Sequence, residues 1–193
     1  MGLLKDSIMQ KIKKSFFPGR LIIAVLLLVQ LVQGPALARE EMNPIELVVT
    51  ATEFTLMSTD GRDIKLSDYE GQFVLVNFWA TWCPPCVEEM PSLDNLHKHF
   101  AGANFKVLGV HAGPALVTVK TFLEKHPVSF DIVIDKKMEL SSWGVTGLPT
   151  TFLVSPEGEI IYKAVGEREW DSDNMFDFIE AVIAKHKQLA SIH

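Results

Sequence analysis

Phe78-Trp79-Ala80-Thr81-Trp82-Cys83-Pro84-Pro85-Cys86 is the stretch on which the fold turns. The residues leading into it, Phe73-Val74-Leu75-Val76-Asn77-Phe78-Trp79, form an almost unbroken apolar run, the pattern of a central strand covered on both faces. A helix is expected to start at the cysteines and run to about Phe100, with Pro91 inside it removing a backbone donor and kinking it. A sulfur at a helix amino terminus meets unpaired N–H groups and the positive end of the macrodipole, which favour the thiolate. Cys83 is expected at the exposed end, and Cys86 one turn further in, shielded behind it. That asymmetry suits a pair in which one sulfur attacks a disulfide and the other resolves the mixed intermediate. Pro84 and Pro85 stiffen the helix start and remove two N–H donors, which predicts a less oxidising pair than a loop with open donors.

Outward from this point, strands and helices alternate. Upstream, Phe54-Thr55-Leu56 and Ile64-Lys65-Leu66 flank Asp60-Gly61 and read as a β-hairpin. Downstream, Phe105 to Val110 reads as a strand, and Leu116 to Lys125 as a helix with Val119, Phe122 and Leu123 at helical spacing. Ile132-Val133-Ile134 is a further strand, followed by a short helix through Trp143 that Gly144 would end. Thr151 to Val154, the turn Ser155-Pro156-Glu157-Gly158, and Glu159 to Val165 make a second hairpin. A last helix, from about Ser172 to Lys187, buries Met175, Phe176, Ile179, Val182 and Ile183. The order predicts an α/β domain over residues 53–193: a central mixed β-sheet flanked by helices on both faces, with an N-terminal β-hairpin extension. No internal repeat or low-complexity segment interrupts it.

The first 38 residues read differently. Lys11, Lys13, Lys14 and Arg20 precede an apolar stretch from Leu21 to Val32, and Gln33-Gly34-Pro35 then breaks the run before Ala36-Leu37-Ala38. This is either a signal peptide cleaved near Ala38 or a membrane anchor over residues 21–38, which carry no charge and approach the roughly 20 residues that span a bilayer. In both cases the basic flank keeps the amino end in the cytoplasm and sends the body out, to the periplasm or another extracytoplasmic space. Residues 39–52 read as a linker and the approach to the domain.

The 193 residues are 48% hydrophobic, enough for one domain with a core of its own. Eighteen basic and 24 acidic side chains give a net charge of −6; without residues 1–38 the balance is 13 against 23, a net of −10. A body this acidic argues against nucleic acid as a partner. The two cysteines are the only ones in the chain. In an oxidising compartment they are either a disulfide or a redox pair. A purely structural bridge closing so small a loop would stabilise weakly.

The segment Asn77 to Pro91, with Gly147-Leu148-Pro149-Thr150-Thr151-Phe152-Leu153-Val154 and the upstream hairpin, resembles the TlpA/ResA branch of the thioredoxin superfamily over roughly residues 53–187. The resemblance implies a thioredoxin-like fold and an exported or membrane-tethered thiol-disulfide oxidoreductase. Such proteins often act as reductases in cytochrome c maturation, so apocytochrome c is an implied client. A membrane thiol protein would be the electron donor, and the Cys83–Cys86 disulfide itself would stand in place of a cofactor. Pro149 matches the family's cis-proline facing the disulfide, which makes Leu148 and Pro149 substrate contacts, together with Trp82, Pro84 and Pro85. Trp79 is expected in the core. Trp143 and Trp170 have no assignable role beyond packing.

Two positions depart from better-known relatives. Where cytoplasmic thioredoxins bury an Asp beneath the cysteines, this strand has Asn77, which does not titrate. Proton transfer to Cys86 then falls to water or to another carboxylate. Glu88 and Glu89 are the nearest in sequence, although acids in a first helical turn are also favoured by the dipole alone. The second departure is Thr52-Glu53-Phe54, where the family usually has a proline before the hairpin Phe.

Two rival chemistries share the fold. A peroxide reductase would carry one reactive cysteine after a Thr or Ser, and Thr81 is near enough for that, but Cys86 makes a dithiol simpler. A copper chaperone would hold metal with two cysteines and a distant His. Its cysteines are separated by three intervening residues, whereas two separate Cys83 from Cys86, and no His here matches that ligand. His111 lies at a strand end, while His97 and His99 face different sides of a helix. Zinc lacks a second ligand pair, so no metal is expected. No segment reads as a dimerisation element, and a monomer is expected.

Overall fold

All seven side chains of Phe73–Trp79 are buried, and the strand they form lies inside an eight-stranded mixed sheet. The computed structural model describes residues 42–138 and 142–190. The expected export segment over 1–38 lies outside the described residues, as does part of the short helix expected before Gly144, of which Ser142 and Trp143 are described, in 3-10 conformation. The strands are β1 (Asn43–Thr50), β2 (Thr55–Ser58), β3 (Asp63–Lys65), β4 (Phe73–Trp79), β5 (Phe105–Ala112), β6 (Asp131–Asp135), β7 (Thr150–Val154) and β8 (Glu159–Val165). The α-helices are α1 (Pro84–His99), α2 (Leu116–Lys125) and α3 (Asp173–Ala190), and a 3-10 helix spans Leu66–Tyr69.

The sheet order is β1-β8-β7-β4-β5-β6-β2-β3. Strands β4, β5 and β6 run parallel, joined by α1 and α2, whereas β7, β8, β1 and the β2–β3 hairpin add antiparallel neighbours. Alternation along β4 divides two cores. Phe73, Leu75 and Trp79 face a cluster that takes Met90, Leu93 and Leu96 from α1, Val119 from α2 and Met175, Ile179, Val182 and Ile183 from α3. Val74, Val76 and Phe78 face the other, closed by Leu66 and Tyr69 of the 3-10 helix and by Trp143. Phe176, expected in the buried stripe of α3, is only partly covered.

Two findings revise the expectations upstream. Residues 39–52 are not all linker, because Asn43–Thr50 pairs antiparallel with β8 at the sheet edge, its register broken between Pro44 and Val49. Proline is tolerated there because an edge strand has N–H groups that need no ladder partner. The β2–β3 hairpin forms without the family's proline. The Glu53 carboxylate does the anchoring, accepting the N–H groups of Phe54 and Leu66 at 2.9 Å each and of Ser67 at 3.2 Å.

Candidate active site

The end of β4 passes directly into a tight turn, Ala80 to Cys83, closed by the Cys83 N–H donating to the Ala80 carbonyl at 3.1 Å. Cys83 is the residue capping α1, and Pro84 and Pro85 occupy the first two helical positions, where a missing N–H costs nothing. The Cys83 and Cys86 sulfurs are bonded at 2.13 Å, with Cα atoms 5.3 Å apart. Cys83 is 6% exposed and Cys86 fully buried, so the expected asymmetry is present, but Cys83 is recessed rather than open. Pairing of the two sulfurs favours a dithiol over a lone peroxide-reactive cysteine.

Around the disulfide, Trp82 is 66% exposed, Pro84 is exposed and Pro85 half-buried. The Leu148–Pro149 peptide is cis, with Pro149 buried and Leu148 packed against both cores. Thr150, the next residue, pairs with Phe78, so this peptide arrives at the sheet end from which the cysteine loop departs. Thr150 Oγ1 donates to the Gly147 carbonyl at 2.7 Å, and the Gly166 N–H donates to the Pro149 carbonyl at 2.9 Å.

Glu88 and Glu89 separate sharply. Neither is in the first turn of α1, which corrects the dipole explanation; Glu88 is exposed, whereas Glu89 is 3% exposed and points into the protein. Its Oε1 accepts Asn77 Nδ2 at 2.8 Å, and its Oε2 accepts Trp170 Nε1 at 2.9 Å and the Arg168 backbone N–H at 3.1 Å. Burial pushes its pKa up to about 7, even though all three donors favour the carboxylate. Glu89 is three residues beyond Cys86 and shares its helix face. Asn77, fully buried, also donates to Thr151 Oγ1 at 2.9 Å, while its Oδ1 has no protein partner.

Trp170, Thr151 and the Arg168 backbone are the residues that sequence reasoning missed. Trp170 lies 81 residues from Glu89, and no local spacing signals such a pair. Ser92 strengthens the same junction, its Oγ donating to the Glu89 carbonyl at 2.9 Å and accepting the Trp170 N–H at 3.2 Å. Trp79 is fully buried, and Trp143 packs against Phe54, Phe78 and Phe152.

The histidines divide as well. His97 Nδ1 accepts the Val107 N–H at 3.2 Å, His99 stacks on Phe176 with centroids 4.0 Å apart, and His111 is buried on β5. Among the described residues, no group of three or more His, Cys, Asp or Glu is placed to hold a metal ion.

Residues 49–163 match the AhpC/TSA family. The chain is 38% identical over 117 residues to thiol-disulfide oxidoreductase ResA of Bacillus subtilis, a match covering 60% of this chain and 65% of that protein. It is 32% identical over 161 residues to the ResA of Bacillus thuringiensis subsp. konkukian, covering 81% of this chain and 91% of that protein. Among solved structures, a thioredoxin-family thiol:disulfide interchange protein from Chlorobium tepidum superposes with a TM-score of 0.59 at 26% identity, over 66% of this chain and 94% of that one.

Proposed function

Because this chain belongs to the AhpC/TSA family and to the ResA-type thiol-disulfide oxidoreductases, we propose that it reduces disulfides of exported proteins, apocytochrome c among them, outside the cytoplasm. The observation that carries this reading is the Cys83–Cys86 disulfide at the start of α1 with a buried, raised-pKa carboxyl on the same helix face. In the reduced protein, the Cys83 thiolate attacks a substrate disulfide, forming a mixed disulfide and expelling one substrate thiolate. Cys86 then gives its proton to Glu89 and attacks the Cys83 sulfur. The enzyme disulfide closes, and the second substrate sulfur leaves as a thiolate that takes up a proton from solvent. A carboxyl titrating near 7 suits that transfer, since general bases work best near the ambient pH. Glu88, exposed and facing solvent, takes no part.

Trp82, Pro84, Pro85, Leu148 and Pro149 form the surface on which the substrate chain lies. A membrane thiol protein returns two electrons to the Cys83–Cys86 disulfide, which serves as the redox group without an added cofactor. The segment over 1–38 delivers the domain across the membrane, whether it is then cleaved near Ala38 or kept as a tether. The domain works as a monomer.

Incubating the reduced protein with oxidised apocytochrome c tests the reading directly. Free thiols should appear on the cytochrome as Cys83–Cys86 oxidises, and Cys86→Ser should accumulate a mixed disulfide through Cys83. An apocytochrome that stays oxidised beside fully reduced enzyme overturns the client assignment; failure with every disulfide substrate overturns the activity.

A further inference from the structure

His111 stands next to last in β5, opposite Trp79 in the parallel register with β4, and is fully buried. The exchange chemistry makes no use of it, and among the described residues no metal-holding group includes it. Its Nε2 accepts the Thr81 backbone N–H at 3.1 Å, and Thr81 Oγ1 lies 3.4 Å from the same atom. The ring meets the Trp79 indole edge-on, with centroids 5.1 Å apart and planes at 90°. Nδ1 is buried without a partner of ordinary hydrogen-bond geometry. A nitrogen that accepts an N–H has its lone pair free, so Nε2 is unprotonated and the ring proton sits on Nδ1. Burial agrees, holding the imidazole below its usual pKa range, with the Gly113 backbone opposing the shift only in part.

Thr81 is the second residue of the turn that closes on Cys83. The segment between β4 and α1 is thus fixed by one hydrogen bond inside the turn and one from the neighbouring strand. Trp82, by contrast, is left free to face solvent. We propose that His111 is a positioning residue for disulfide exchange: its Nε2 anchors the Ala80–Cys83 turn to β5 and so sets how the Cys83 sulfur is presented. This role rests on Cys83 being the attacking sulfur, as proposed above. His111 itself touches neither substrate nor sulfur in it.

The test compares His111→Leu, which removes the acceptor, with His111→Gln, which returns an amide oxygen near the position of Nε2. In the reduced full-length protein, iodoacetamide alkylation of Cys83 and reduction of insulin disulfides are followed together. The Leu variant should slow both by about fivefold, and the Gln variant should recover to within about twofold of the parent. A folded Leu variant that reacts at the parental rate, or a Gln variant that falls as far as Leu, overturns the proposal.

Should the Leu variant fail to fold, nitrogen NMR of the unmodified protein decides. An unprotonated Nε2 and a Thr81 amide protected from hydrogen exchange support the anchor; a protonated Nε2 or a freely exchanging Thr81 amide removes it. Alkylation needs no disulfide substrate, so a parent that alkylates at Cys83 yet reduces no disulfide counts against the exchange reading alone.

Discussion

Trp170 Nε1 donates to Glu89 Oε2 at 2.9 Å, so the segment leading into α3 supports the carboxyl that α1 carries one turn beyond Cys86. With Asn77 and the Arg168 backbone, it completes a buried, polar pocket in which the carboxyl is largely desolvated but keeps three donors. Desolvation outweighs the donors, and the pKa rises from 4.5 to about 7.

The shift has a consequence for stability whose sign is fixed. Between pH 4.5 and about 7 the folded protein holds a proton on Glu89 that the unfolded chain has already released. The stabilisation is complete below pH 4.5 and is lost as pH rises through 7, a difference of about 3 kcal/mol. Glu89→Gln should flatten that part of the pH profile. Denaturant unfolding of both proteins at pH 4.5 and pH 8 checks it: equal pH dependence in the two would show that Glu89 is ionised throughout.

Glu89→Gln should also separate the two halves of the reaction. If the carboxyl takes the Cys86 proton, resolution of a preformed mixed disulfide should slow by about 100-fold. The first attack by Cys83, measured in a Cys86→Ser background, should change little. Stopped-flow thiol release resolves both steps, and a loss confined to the first would assign Glu89 to Cys83 instead.

How far the sequence alone led depended on whether a feature was local. The cysteine loop, α1, α2 and the second hairpin are legible because capping, periodicity and turn residues act within a few positions. Strand β1 is not. Its Leu47 is 78% exposed and Val49 48%, with only Ile45 packing partly on the core, so this edge strand lacks the sustained alternation that marks a half-buried one. The carboxyl pocket escaped for a different reason: Asn77, Glu89, Thr151 and Trp170 meet only through tertiary packing. His111 could be considered only as a metal candidate, since its partner is the backbone of a loop 30 residues away.

Gly109 tests how tightly the sheet is packed behind the loop. It pairs with Asn77 across β4 and β5, and a Cβ there would lie 2.4 Å from Ile132 Cδ1, 3.2 Å from Trp79 Nε1 and 3.3 Å from Phe130. Gly109→Ala should destabilise the domain by about 2 kcal/mol through overpacking. Because the worst contact is the tip of a flexible side chain, adding Ile132→Val should return part of that loss. A double-mutant cycle by thermal unfolding reads the coupling, and strict additivity would mean that the strain lies elsewhere.

Asn77→Asp places a second carboxyl where Nδ2 now meets Glu89 Oε1 at 2.8 Å. Two buried carboxylates at that distance cannot both ionise, so the pair shares a proton and titrates as a unit. At pH 5 a protonated member can donate across the gap, and stability should stay near that of the parent. At pH 8 the second ionisation is opposed by both burial and like charge, and the variant should lose about 3 kcal/mol or more. Thr151 Oγ1 can turn to donate to the new carboxylate but neutralises nothing. Unfolding midpoints at the two pH values decide the matter: a variant equally stable at both would mean that the two carboxyls are well solvated, and the desolvation that raises the Glu89 pKa would have to be abandoned.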